Sequence, residues 1–164
     1  MGFRVVHARD MQTDLNRLRA LGTTTLAGFT EVDEMAALRV PLDHLSQAAQ
    51  HCGVNHLHYP IRDVTAPEGH DTRQAALTFA QELARRVESG ETVTVYCRGG
   101  LGRSGMMAGA VLTVLGVPPA AAVQAVRSVR PGAIETRAQE EFVRWMAGTE
   151  AHETTPPGTQ GRPV

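Results

Sequence analysis

Thr92–Gly116, TVTVYCRGGLGRSGMMAGAVLTVLG, changes character twice along its length. Thr92 to Tyr96 is rich in β-branched residues and reads as a buried strand. Cys97 to Gly105 is a glycine-rich loop, and Met106 to Leu115 is almost wholly apolar, as a buried helix must be, with Gly116 as its stop. Strand, glycine-rich loop and buried helix in succession specify an α/β unit. The loop's amides then meet the positive end of the helix. Glycines in the loop permit positive φ, so successive N–H groups can turn inward and form an anion nest.

Five residues separate Cys97 from Arg103. That spacing lets the chain curl once around a phosphate-sized anion and return the guanidinium to the sulfur. A planar fork suits two phosphoryl oxygens better than an ammonium does. Arg98, Gly99, Gly100, Leu101, Gly102 and Arg103 are therefore the expected phosphate-binding residues. In such a field the Cys97 thiol ionises readily and becomes a nucleophile. Ser104 is placed to hydrogen-bond the sulfur and ease its departure in a second step.

Outward from this segment the chain alternates between helical and strand patterns. Met11 to Leu21 reads as a helix closed by Gly22, Thr23 to Phe29 as a strand, and Val32 to Leu38 as a short helix. A helix around His44 to His51 ends at Gly53, and Val54 to Tyr59 alternates as a second strand. Asp71 opens a long helix closed by Gly90, with Ala76, Phe79, Ala80, Leu83 and Val87 at helical spacing. Pro118 and Pro119 start another helix running to about Val129, and Ala138, Phe142 and Trp145 mark the last. The expectation is a single three-layer α/β domain over residues 1–147, its central, mostly parallel sheet flanked by helices. Residues 148–164, with their run TTPPGTQGRP, are expected to be a disordered tail.

In such a fold the chemistry gathers at the C-terminal ends of the strands. The loop IRDVTAPEG follows the second strand, so Asp63 is expected to face Cys97 and to act as general acid and then general base. Glu68 and Asp71 are the other acids of that region. Gly100, Gly102 and Gly105 also spell the dinucleotide fingerprint G-x-G-x-x-G. That reading needs an acid at the end of a further strand, and AAAVQAVRS supplies neither. His51, Cys52, His56 and His58 match no zinc spacing, so no metal and no cofactor are expected.

The chain of 164 residues carries 16 basic and 17 acidic residues, a formal charge of −1, which gives no reason to expect a nucleic-acid partner. Its two cysteines suit a reducing compartment rather than a disulfide framework. The N-terminus has no apolar targeting segment, and no apolar run approaches the ~20 residues of a membrane span. The expectation is a soluble cytoplasmic protein with no membrane partner.

CRGGLGRSG matches the C-x5-R-[ST] signature, and the chain resembles the cysteine-dependent tyrosine and dual-specificity protein phosphatases. The likeness is closer to kinase-associated phosphatase and its bacterial relatives. It extends through HCGVNHLHYPIRDVTAP and RPGAIETRAQEEFVRW, covering most of the chain from Arg9 to Trp145. It implies a phosphocysteine at Cys97, phosphate held by Arg103 and a general acid at Asp63, with a phosphorylated protein or peptide as substrate. It also implies a water-positioning role for Gln139, although Thr136 and Gln139 equally spell a T-x-x-Q capping box. Tyr96 stands where that family usually carries histidine, which implies a shallower pKa depression at Cys97. A phosphate-reading module with weak or no turnover is the alternative function. Relatives carry extra strands before Arg9, so the resemblance implies either a sheet that lacks an edge strand or a replacement for one in Phe3 to His7.

Overall fold

Thr25–Gly28 is buried at all four positions, which only an interior strand covered on both faces can be. This strand, β1, pairs in parallel with β2 (Asn55–His58) on one side and β3 (Val93–Tyr96) on the other. The sheet order is therefore β2-β1-β3. The structure, a computed structural model, describes residues 10–149. Along them run α1 (Met11–Ala20), α2 (Val32–Ala37) and α3 (Leu42–His51) before β2, and α4 (His70–Glu88) before β3. Three helices follow: α5 (Gly102–Val114), α6 (Pro119–Val129) and α7 (Arg137–Thr149).

Side chains of β1 alternate between two cores. Leu26 joins Leu15, Met35, Leu45, Ala49 and Val54, so α1, α2 and α3 cover one face. Ala27 and Phe29 join the larger core beneath α4 to α7, in which Met106, Met107, Phe142 and Met146 are fully buried. The result is the expected three-layer α/β fold with a parallel sheet. Local signals act where the sequence placed them. Asp10 caps α1 by accepting from the Thr13 amide at 2.9 Å, and Pro119 sits in the first turn of α6.

Details differ from expectation at element ends. The strands, four residues each, are shorter than Thr23–Phe29 and Val54–Tyr59, although the Phe29 and Tyr59 amides still donate across the sheet to the Tyr96 and Gly28 carbonyls. Helix α4 starts one residue early, at His70, where Gly69 adopts φ 76°. Gly148 lies inside α7 rather than opening a tail. The remaining tail residues and the Phe3–His7 segment lie outside the described residues. No helix among the described residues is long and apolar enough to cross a membrane.

Two consequences place the site. All three strands run the same way, so the loops after β1, β2 and β3 leave one edge of the sheet. The chain also passes from β1 to β2 on one side and then back to β3 on the other, making that edge a topological switch point. Close to it the Tyr96 ring crosses β1 directly over Gly28. A Cβ at Gly28 would lie 2.2 Å from the ring's Cζ, so only glycine lets the ring lie there. Gly28→Ala is therefore expected to destabilise the protein by about 1–3 kcal/mol, the usual cost of overpacking. Urea denaturation measures this, and an unchanged midpoint would mean that the ring is not seated over residue 28.

Candidate active site

The loop between β3 and α5 closes on the sulfur of Cys97. The Gly100 amide donates to Sγ at 3.2 Å, and the Ser104 hydroxyl lies 3.3 Å from it. Cys97 is half-buried, and burial alone pushes its thiol up. The Ser104 hydroxyl and the amides of Ser104, Gly100 and Leu101 outweigh that penalty and leave the thiol below its ordinary value. One hydroxyl and three amides thus act on the sulfur together.

The glycines divide their labour differently from the initial reading. Within the loop only Gly100 takes a positive φ, 68°. Gly102 and Gly105 belong to α5, where neighbours come close. A Cβ at Gly105 would lie 3.0 Å from the Ile134 amide nitrogen, while one at Gly102 would meet the movable tip of Glu135 and, at 3.0 Å, Gln139 Nε2. The Leu101 carbonyl accepts from both the Gly105 and Ile134 amides, which fastens the loop to the segment before α7. Arg130 reaches in from the end of α6 and donates to the carbonyls of Gly100 and Gly99 at 3.3 and 3.4 Å. Holding those carbonyls outward leaves the amides free to face inward.

Arg103 is only 1% exposed, yet it carries a full charge. Glu34 takes it bidentately, at 2.5 Å from Nη1 and 3.0 Å from Nη2. The Ile61 carbonyl accepts from Nη1 at 3.0 Å, and Asp63 lies 3.0 Å from Nη2. Arg103 in turn holds the Glu34 carboxyl below its ordinary value. The Nε–H of Arg103 is buried and has no partner among the described residues. A buried donor without an acceptor is costly.

Asp63, expected to face Cys97, lies beside Arg103, paired with Nη2. Its own carboxylate also accepts from the Val64 amide at 3.1 Å, and Val64 adopts φ 54°. Glu34 was missed. The rule that finds Asp63, an acid soon after a parallel strand, also fits Glu31, Asp33 and Glu34 after β1. Only the fold singles out Glu34. In α2 that side chain accepts from the Glu31 amide at 2.9 Å, so one carboxylate both caps the helix and neutralises Arg103.

The other expected site residues are placed less directly. Gln139 is fully buried against Gly102. Its Oε1 accepts from the Glu135 and Thr136 amides at 2.9 and 3.3 Å, and Thr136 Oγ1 accepts from the Gln139 amide at 3.2 Å. The capping box is thus formed, and Gln139 Nε2 donates to the Thr65 carbonyl of the acid loop at 3.2 Å. Arg98 is exposed and borders an apolar cavity of about 560 Å³ between α1, α2 and the sheet. Cys52 packs on the α1–α3 side of the sheet, accepting from Gln12 at 2.8 Å, while Cys97 packs towards α5. His51 bonds the Gln47 carbonyl at 2.7 Å and His58 the Thr30 carbonyl at 2.7 Å.

Comparison with known proteins agrees with this geometry. The family model described as "Swiss Army Knife protein, DSP-PTPase phosphatase domain" matches residues 3–143. Cyclin-dependent kinase inhibitor 3 of Homo sapiens is 28% identical over 159 residues, covering 95% of this chain and 72% of that protein. The Rattus norvegicus protein of the same name is 30% identical over 138 residues, covering 82% of this chain and 62% of its own length. Among solved structures, kinase-associated phosphatase with its catalytic-site cysteine replaced by serine superposes with a TM-score of 0.78 at 27% identity. That match covers 93% of this chain and 83% of the other. Tk-PTP in its active form gives a TM-score of 0.69 at 32% identity, covering 84% and 86%.

Replacing Glu34 with glutamine leaves the Arg103 charge with a weaker partner. Glu34→Gln is expected to lower stability by about 1–3 kcal/mol, measured by urea unfolding at neutral pH. A change below about 0.5 kcal/mol would mean that Asp63 alone suffices to neutralise Arg103.

Proposed function

The chain belongs to the DSP-PTPase phosphatase family, and we propose that it hydrolyses phosphotyrosine in proteins through a phosphocysteine at Cys97, with phosphoserine and phosphothreonine as further substrates. The observation that carries this reading is the sulfur of Cys97. It is held at hydrogen-bond distance by Ser104 and Gly100, beside a buried guanidinium whose Nε–H is unpartnered.

The Cys97 thiolate attacks phosphorus while the bond to the leaving oxygen breaks. The amides of residues 98–103 and Arg103 Nε–H take up the charge that accumulates on the phosphoryl oxygens. Asp63, entering protonated, gives its proton to the departing phenoxide or alkoxide. In the second step water attacks phosphorus, Asp63 recovers a proton from it, and the S–P bond breaks. The Ser104 hydroxyl supports the sulfur as it leaves as thiolate. Gln139 ties the loop that carries Asp63 to α7 through the Thr65 carbonyl, which supports the place of Asp63 beside Arg103. In this reading Gln139 Nε2, which lies near Gly102, also helps to position the attacking water. Each step uses positioned charge and donors from this chain alone. A thiolate of this kind works in a reducing compartment, so we place the protein in the cytoplasm.

The pH dependence of kcat/KM on an aryl phosphate, with chelator present, tests this assignment. Because the Cys97 pKa is lowered, its thiolate persists to lower pH than an ordinary thiol. The acid limb is thus expected below the ordinary ~8.5. Cys97→Ser should abolish turnover. Asp63→Asn should lower kcat roughly 10²- to 10³-fold and remove the basic limb, which reports the protonated acid. An unchanged profile in Asp63→Asn would move the acid to Glu68 or Asp71. Tight phosphopeptide binding by wild type without turnover would instead favour the binding-module reading.

A further inference from the structure

β3 delivers the nucleophile, yet among the described residues it pairs only with β1, so its last residue is held by the ladder on one side. There the Phe29 amide donates to the Tyr96 carbonyl at 3.0 Å. The Tyr96 side chain supplies a second hold. Its ring passes over the bare backbone of Gly28 and reaches β2, two strands away from its own Cα. There it stacks on the His56 ring, with centroids 5.9 Å apart and planes 21° apart. Tyr96 Oη lies 2.9 Å from His56 Nε2, and His56 Nδ1 lies 2.8 Å from Ser46 Oγ on α3.

The direction of these bonds is set at the far end. Ser46 Oγ donates to the Leu42 carbonyl at 2.9 Å, and a carbonyl can only accept. Ser46 Oγ must then accept from His56 Nδ1–H, which leaves Nε2 without a proton to accept from the Tyr96 hydroxyl. The chain Tyr96–His56–Ser46–Leu42 is thus polarised one way and every member is neutral. Burial favours the same state. It holds Tyr96 up at about 12 and His56 down at about 4, with the charge of His58 as a smaller contribution to the latter.

We propose that Tyr96, acting through His56 and Ser46, is a positioning residue that anchors the catalytic loop at the end of β3. The inference rests on the reading of Cys97 as nucleophile. The sulfur's low pKa depends on bonds of 3.2 and 3.3 Å to Gly100 and Ser104. Cys97 follows Tyr96 directly, so a swing of the strand end by a few tenths of an ångström lengthens both bonds. Burial then pushes the thiol back up. The anchor does not touch substrate, which separates its effect from that of Arg103 or Asp63.

The test is the pH dependence of iodoacetamide alkylation at Cys97, read on the Cys97 peptide by mass spectrometry so that Cys52 does not contribute, alongside kcat and KM. Tyr96→Phe keeps the ring and removes the bond. It should raise the alkylation midpoint by about half a unit and lower kcat roughly 3- to 10-fold, the range expected for one hydrogen bond, with KM little changed. His56→Leu and Ser46→Ala should shift the midpoint the same way. The Tyr96→Phe/His56→Leu double variant should shift it no further than the larger single change. His56→Gln, which can both accept and donate, should recover most of the wild-type value. A wild-type midpoint in Tyr96→Phe would overturn the proposal, as would shifts that add in the double variant. A lowered kcat with an unmoved midpoint would overturn it too. If His56→Leu does not fold, Ser46→Ala, which breaks only the far end, decides in its place. Because alkylation needs no turnover, the anchor stands or falls separately from the phosphatase reading.

Discussion

Arg103 carries its charge at a position almost closed to water, and an uncompensated charge there costs several kcal/mol. Much of the site follows from that need. Glu34 comes from the helix after β1, and Asp63 and the Ile61 carbonyl come from the loop after β2. Two segments far apart in the chain are drawn to one guanidinium. The parallel sheet makes this feasible by releasing all three loops at one edge. The same compensation is incomplete at Nε, the donor that the proposed phosphate would engage.

The sulfur presents the complementary balance. Burial opposes its ionisation, and a set of short-range donors reverses the outcome. Those donors are backbone amides and one hydroxyl, so their strength depends on loop geometry more than on side-chain identity. Arg130, the Leu101 carbonyl, the Gln139 capping box and the proposed Tyr96 anchor all act on that geometry from outside the anion site. The family's usual histidine before the nucleophile is absent here. Tyr96 turns away from the loop and binds across the sheet instead.

What was legible in the sequence was whatever depends on near neighbours. Thr92–Gly116 specified strand, loop and helix because β-branched residues, glycines and an apolar run are each local signals. Cys97, Ser104 and Arg103 could be grouped because one loop carries them. Asp63 could be placed because a parallel sheet fixes where a post-strand loop emerges. Glu34 was not legible, since Glu31 and Asp33 satisfy the same rule and only packing chooses between them. The roles of Gly28 and Gly105 were hidden for a related reason. Each is crowded by a group distant in sequence, Tyr96 and Ile134 respectively, rather than set by its own φ.

The central claim is that phosphorus passes through the sulfur of Cys97. It is tested most directly by acid-quenching the Asp63→Ala variant during turnover of an aryl phosphate and mapping phosphorylated peptides by mass spectrometry. With the second step slowed, the account predicts one phosphoryl group on the peptide containing Cys97, bound through sulfur and lost on treatment with thiol-reactive iodine. A phosphoryl group on another residue, or product release in the first turnover with none on the protein, would contradict it.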